Sequence, residues 1–222
     1  MGLVVEYVSS REYSILQGLE KLGVNAASAP SAGDISAVFI TGEFAARSDE
    51  NAAIVREVCA GFKALETPVV FDPGSVGEDK YALINEIAAL SEIFLPSAED
   101  ARALCGLDDP EKIAEHYLAL GVPKIVITLD KKGAYYRSAK ERGYTPTFRA
   151  DKVVDTRGAG KAFAAGLISG VIEEIPLSEA VVRANACGCI SIQRQGEYFP
   201  DSAELREYML DHRFAVDGCK EY

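Results

Sequence analysis

Apolar residues along this chain come in two alternating rhythms. Short, nearly continuous apolar runs occur at Leu3 to Val8, Ile35 to Thr41, Pro68 to Phe71, Ile93 to Leu95 and Lys124 to Leu129. Between them, apolar side chains recur every three or four residues. The runs predict strands buried on both faces, and the intervening stretches predict amphipathic helices. Those helices are expected over Arg11–Leu22, Ser48–Leu65, Glu78–Leu90, Ser97–Cys105 and Pro110–Leu120. The punctuation agrees. Gly23 stops the first helix, Ser48 or Asp49 can cap the second, and Pro110 suits a first turn. Residues 25–34, rich in Ala, Ser, Pro and Gly, predict a loop.

Strands that alternate with helices of this length build βαβ units, whose right-handed crossovers place helices on both faces of a parallel sheet. The expectation is an α/β fold with a doubly wound, mostly parallel sheet, and with Phe39, Val70, Val126 and Ile127 in its core. After Gly133 the rhythm changes. Ala134–Ser138 and Arg142–Phe148 predict a β-meander at one edge of the sheet. Three helices follow, over roughly 159–174, 178–194 and 202–210. No repeat, low-complexity tract or linker divides the chain, which predicts one domain over residues 1–222.

Composition narrows the function. A net charge of −11 argues against nucleic acid and against anionic membrane surfaces. No apolar run reaches the ~18 residues that a membrane-spanning helix needs. The first residues lack the basic flank of a signal peptide, and Glu6 stands where myristoylation wants a hydroxyl, so a cytoplasmic protein is expected. Five cysteines, at 59, 105, 187, 189 and 219, show neither zinc spacing nor a disulfide framework. They predict reduced, mostly buried thiols and no metal site of their own. His116 and His212 suggest no catalytic triad.

The chemistry concentrates in Val153-Val154-Asp155-Thr156-Arg157-Gly158-Ala159-Gly160-Lys161-Ala162-Phe163. A short β-branched run turns through two glycines into a small-residue helix. Glycines at a helix start let backbone N–H groups converge where the helix dipole is positive, which makes an anion site. The alternative is a tight turn whose glycines serve close packing. A P-loop does not fit, since it would need Gly at Asp155 and a hydroxyl at Ala162.

The segment resembles the C-terminal signature of the PfkB, or ribokinase-like, carbohydrate kinases, Asp-Thr-x-Gly-Ala-Gly-Asp-x-Phe. Every signature position agrees except one: Lys161 stands where the family has its catalytic Asp, the base that takes the proton from the sugar hydroxyl. The resemblance implies ATP and Mg2+ as cofactors and a sugar or related small molecule as ligand. It also implies anion-hole roles for Gly158, Ala159, Gly160 and Thr128. Weaker landmarks follow. Asp72-Pro73-Gly74 is similar to an Asp-Pro-Asn segment, and equally to a plain turn. Ser97 and Asp100 align with Asn-x-x-Glu, which positions magnesium and phosphates. Read from the residues alone, Ser97 is an N-cap with carboxylates in the first turn, and that reading is preferred. Asp130 replaces the Gly of Thr-Leu-Gly and adds negative charge where a triphosphate would run. Asn185 aligns with a position lining the adenine pocket, and Asp155 with a cation loop near the nucleotide.

In open α/β sheets, ligands sit beyond the carboxyl ends of the strands. Here those ends carry Thr41-Gly42, Asp72-Pro73, Pro96-Ser97, Thr128-Leu129-Asp130 and Asp155-Thr156. The family also has an N-terminal sugar-binding region and a small lid sheet. In this chain two elements lead almost directly to Ile35, which predicts a shortened front with the lid largely absent. An ammonium cannot accept the acceptor's proton, so Lys161 is expected to be a phosphate ligand rather than a base. Two functions remain open. One is a PfkB-type kinase, impaired or inactive. The other is a silent anion- or nucleotide-binding module or partner subunit on the same fold. Phosphate or sulfate is expected at the Gly158–Lys161 turn, and assembly into a homo-oligomer is compatible with the sequence.

Overall fold

The computed structural model describes residues 3–7, 15–26 and 35–211. The predicted helix start at Arg11, loop residues 27–34, His212 and Cys219 lie outside them. In chain order the elements are β1 (Leu3–Tyr7), α1 (Leu16–Lys21), β2 (Asn25–Ala26), β3 (Ala37–Thr41), α2 (Gly42–Ala46), α3 (Asp49–Ala64), β4 (Val69–Asp72) and α4 (Tyr81–Leu90). Then come β5 (Ile93–Phe94), α5 (Ala98–Cys105), α6 (Pro110–Ala119), β6 (Lys124–Thr128), β7 (Ala134–Ser138), β8 (Arg142–Thr145), α7 (Ala159–Ile172), α8 (Leu177–Ser191) and α9 (Ser202–Asp211).

All strands of the described residues join one sheet, ordered β2-β1-β3-β4-β5-β6-β7-β8. From β2 to β6 every pairing is parallel, and β6-β7-β8 is the expected antiparallel meander. Side chains alternate across the sheet and divide its core in two. Phe39, Val70, Ile93 and Val126 face the layer of α1, α7, α8 and α9. Val38, Ile40, Phe71, Phe94, Ile125 and Ile127 face α2 to α6. The sheet is therefore doubly wound, and the four residues expected in the core are buried.

Helix boundaries follow local chemistry. Ser48 Oγ accepts from the Asn51 amide at 3.1 Å and caps α3. Pro176 cannot cap α8 through its side chain, and Glu141 of the β7–β8 hairpin does so instead. Its carboxylate accepts from the amides of Leu177 (2.9 Å) and Ser178 (3.2 Å). Helices α7 and α8 approach so closely that a Cβ on Gly166 would lie 2.9 Å from the Ala184 Cα. That glycine serves packing.

Three local expectations are corrected. The predicted loop 25–34 begins with strand β2, a two-residue extension paired to β1. Helix α2 directly follows β3, where no helix was predicted. The Val153-Val154 run forms no strand. Its two side chains are exposed, and the amides of Val154 and Asp155 instead donate to the Ile192 carbonyl at 2.8 and 3.2 Å. No helix of the described residues is long and apolar enough to cross a membrane.

Candidate functional site

The parallel register sets the carboxyl ends of the central strands side by side: Thr41 pairs with Asp72 across β3 and β4, and Ser97 bridges to Thr128 beyond β5 and β6. Two loops there are built around each other. Asp72 Oδ1 accepts from the Gly74 amide at 3.0 Å, and Glu43 Oε1 accepts from the Ser75 amide at 3.2 Å. A Cβ on Gly74 would collide with the Glu43 carboxylate, and one on Gly42 would lie 2.0 Å from the Pro73 carbonyl oxygen. Gly74 is thus matched to Glu43, which fills the space a side chain at 74 would need.

This corner gathers three carboxylates, Glu43, Asp72 and Asp100. Burial pushes the Asp72 carboxyl up to about 7 against the opposing Gly74 N–H bond, and the nearby Glu43 and Asp100 carboxylates add repulsion. Burial also raises Glu43 and Asp100 from their ordinary values. The Thr41 hydroxyl is buried without a partner in hydrogen-bond geometry, yet it lies close enough to favour the charged form of Glu43.

Ser97 and Asp100 form a full capping box at the start of α5. Ser97 Oγ accepts from the Asp100 amide at 3.0 Å, and Asp100 Oδ2 accepts from the Ser97 hydroxyl at 2.5 Å and amide at 3.3 Å. The helix-cap reading of this pair is therefore realised. Asp130 is exposed and has φ of 51°, a left-handed conformation in which glycine is at ease.

At the glycine turn, Gly158 caps α7 with φ of 80°, which only glycine adopts without strain. Gly160 differs. A Cβ there would meet nothing within 4 Å, so neither packing nor a left-handed backbone calls for glycine. Asp155 is drawn inward. Its carboxylate accepts from Arg157 Nη2 at 2.6 Å, from the Arg157 amide at 3.0 Å and from the Gly196 amide at 3.0 Å. The Arg157 side chain foremost, then these amides, holds it well below the usual carboxylate range. Lys161 Nζ pairs with Glu197 Oε1 at 2.6 Å.

The structure thus brings Thr128 beside Ser97, and Asp155 beside the loop that follows α8. Asn185 is accounted for within the fold. It is buried, and its side-chain amide donates to the Thr145 carbonyl at 3.2 Å, fixing the end of β8. His116 packs edge-on against Tyr117. Cys59 and Cys187 are buried, with thiols pushed up to about 11 and about 12, hence unreactive. Among the described residues no group of His, Cys, Asp and Glu could hold a metal ion by itself. Sequence reading missed Glu43 and Glu197. Glu43 directly follows a strand end and carried a signal, whereas Glu197 is brought to Lys161 only by the packing of α8 on α7. A cleft of about 990 Å³ opens at the opposite, amino edge of the sheet, lined by Lys63, Glu92, Lys124 and Glu141, and takes in none of the predicted site residues.

Residues 14–204 match the pfkB family carbohydrate kinases. The chain belongs to this family. It is 35% identical over 153 residues to 2-dehydro-3-deoxygluconokinase of Bacillus subtilis, covering 65% of this chain and 47% of that enzyme. The PfkB protein of Polaromonas sp. JS666 superposes with a TM-score of 0.69 at 29% identity, over 78% of this chain and 57% of that one. Aminoimidazole riboside kinase of Salmonella enterica, solved with aminoimidazole riboside and an ATP analog, gives a TM-score of 0.68 at 25% identity, over 78% of this chain and 62% of that one. The chain spans about half the length of the curated relatives it matches. Within the pfkB frame, the signature turn keeps its glycines and opens α7, while position 161 presents an ammonium already bound to a carboxylate.

Proposed function

We propose that this pfkB-family chain carries a site for ATP-dependent phosphoryl transfer to a sugar or related small molecule, and that transfer is impaired or lost. The observation that carries this reading is the Lys161–Glu197 pair at 2.6 Å. The first turn of α7 offers an ion-paired ammonium where the family has its catalytic carboxylate. Loss of a general base costs about 10²–10⁴ in rate. The anion role of the turn is supported by Gly160, whose missing side chain leaves open space that the fold itself does not use.

The residues present fit the implied cofactors in part. Mg2+ takes one or two carboxylates plus substrate phosphates rather than an all-protein cage. Asp100, with Asp72 near it, would hold such an ion, and the ion would neutralise charge on the phosphates. A cation there would also relieve the repulsion that helps raise Asp72. Of the implied nucleotide contacts, Asn185 already gives its amide nitrogen to the Thr145 carbonyl and Asp155 its carboxylate to Arg157 and the Gly196 amide. The Glu43, Asp72 and Asp100 carboxylates suit a ligand rich in hydroxyl donors.

Sugar-dependent ADP release tests the proposal, and turnover should fall far below the ~1–100 s⁻¹ of ordinary kinases. Turnover within that range would overturn it. A second reading, a silent pseudokinase that binds anions or nucleotides or serves as a partner subunit, draws on the self-neutralised charges of the turn. Calorimetric titration with ATP, ADP and AMP, with and without Mg2+, separates the two. Binding without any turnover is the mark of the silent module.

A further inference from the structure

We propose that the cleft at the amino edge of the sheet binds an aliphatic diamine or polyamine, held by Glu66, Glu174 and the carbonyl ends of three helices. It lies at the edge opposite the candidate site and does not depend on how that site is read.

One motif, used three times, shapes this edge. Helices α3, α6 and α7 end at Ala64, Ala119 and Ile172, and each end is followed four positions later by a proline: Pro68, Pro123 and Pro176. All three prolines line the cleft. The three ends close in the same way. The amides of Thr67, Val122 and Ile175 donate back to the carbonyls of Phe62, Tyr117 and Gly170 at 3.0, 3.1 and 3.2 Å. The amide three positions on is thereby committed, and the proline at the fourth has no N–H. The local backbone therefore offers no donor to the Ala64, Ala119 and Ile172 carbonyls, which point along their helix axes toward this edge. Each helix end also presents about half a unit of negative charge.

The same motif puts one residue of each end in the left-handed region. Gly121 occupies it at φ of 98°, but the other two positions hold Glu66 and Glu174, each at 56°. Glycine takes that backbone without strain, so two carboxylates stand where the fold favours glycine. Both line the cleft. Two separate features, helix carbonyls without a local donor and glutamates in strained backbone, thus bring acceptors to one cavity.

The remaining charges leave that balance negative. The lining holds three lysines against four glutamates before the helix ends are counted. Lys124 pairs with Glu92 at 3.1 Å, and Glu141 accepts from the α8 amides. Lys63 lies in the last turn of α3, against its own helix end. The floor is apolar, with Val69, Leu90, Ile93 and Ile175, and the volume of about 990 Å³ suits a small organic ligand. An ammonium has three donors and no acceptor, so it matches a rim of carbonyls and carboxylates. The methylene chain between two ammonium groups covers the floor. A dicarboxylate of similar length would meet the same acceptors with the wrong charge.

The test is titration of the ¹⁵N-labelled chain with spermidine at constant ionic strength, read at the amides of Thr67, Ile93 and Ile175. Those signals should shift saturably, while the amides of 158–161 stay in place. Neither 1,4-butanediol nor succinate should reproduce the shifts. Glu174→Gln should weaken spermidine binding about tenfold, the worth of one charge-assisted contact. Glu174→Gly should lose the same affinity yet raise the melting temperature, because it also relieves the strained backbone. A raised melting temperature with unchanged spermidine affinity would show that Glu174 only closes the helix, and would overturn the site. Shifts spread over the whole acidic surface and insensitive to Glu174→Gln would overturn it too, as would no response at 67, 93 and 175 or an equal response to succinate.

Discussion

The two halves of the candidate site handle charge in opposite ways. Where β3, β4 and β5 end, Glu43, Asp72 and Asp100 gather carboxylates, and burial with mutual repulsion raises Asp72 to about 7. At the turn before α7, every charge has its own counter-ion: Asp155 with Arg157, and Lys161 with Glu197. A buried charge without a partner is costly and is relieved by whatever ligand neutralises or hydrogen-bonds it. The acidic half thus leaves charge that a ligand would relieve, whereas the turn pairs its charges within the fold. That asymmetry is what the proposal of impaired transfer draws on.

The largest expected effect lies in the acidic half. Asp72 in the folded chain holds its proton up to about 7, while the unfolded chain releases it near 3.8. The folded state therefore binds more protons across that window, and stability is lost as pH rises through it. Melting temperature should fall between pH 5 and pH 8. Asp72→Asn keeps the acceptor for the Gly74 amide and removes the charge, so its profile should be nearly flat and its stability at pH 8 higher. An unchanged slope in that variant would show that Asp72 is not the titrating group.

Glu141, at the far edge of the sheet, is a reference carboxylate that meets its donors directly. Glu141→Ala strips the cap from α8 and should lower stability by about 1 kcal/mol in chemical denaturation. Turnover and phosphate binding should be unaffected, because the change lies at the opposite edge from the site.

Gly160→Ala sharpens the reading of the turn itself. Alanine in place of a helical glycine that packs against nothing should stabilise the fold by about 0.5–1 kcal/mol while weakening phosphate binding. Stabilisation with unchanged phosphate binding would return Gly160 to an incidental role. The smallest effect belongs to position 161. With Glu197→Ala present, Lys161→Asp should stabilise α7 by ~0.3–1 kcal/mol, since an acid suits a helix start. With Glu197 intact the two carboxylates repel and the gain should vanish. Lys161→Asp alone should not bring turnover into the ordinary kinase range.

Much of the architecture was legible because buried parallel strands read as unbroken apolar runs. Val126 and Ile127 could be assigned to the core before any contact was known. The elements missed were too short to have a period: α2 is five residues and β2 two. The Val153-Val154 run misled for a different reason. Its amides bond to the Ile192 carbonyl rather than to a strand, a partner that tertiary packing alone supplies. In the site, the signature turn and the Ser97–Asp100 cap were readable because each lies within a few consecutive residues. Glu197 was not readable, since it meets Lys161 across 36 positions of chain, and nothing in the local pattern marks it as that lysine's partner. The match of Glu43 to Gly74 was hidden in the same way, because it depends on how two loops pack at one sheet edge.

The contrast between the two halves is tested most directly by carboxyl-carbon NMR of the whole chain across pH 2 to 9, following Asp72 and Asp155 together. The account predicts a midpoint near 7 for Asp72 and one well below the ordinary carboxylate range for Asp155. If both residues titrate together near the unperturbed aspartate value of about 3.9, the two halves do not differ and the account is wrong.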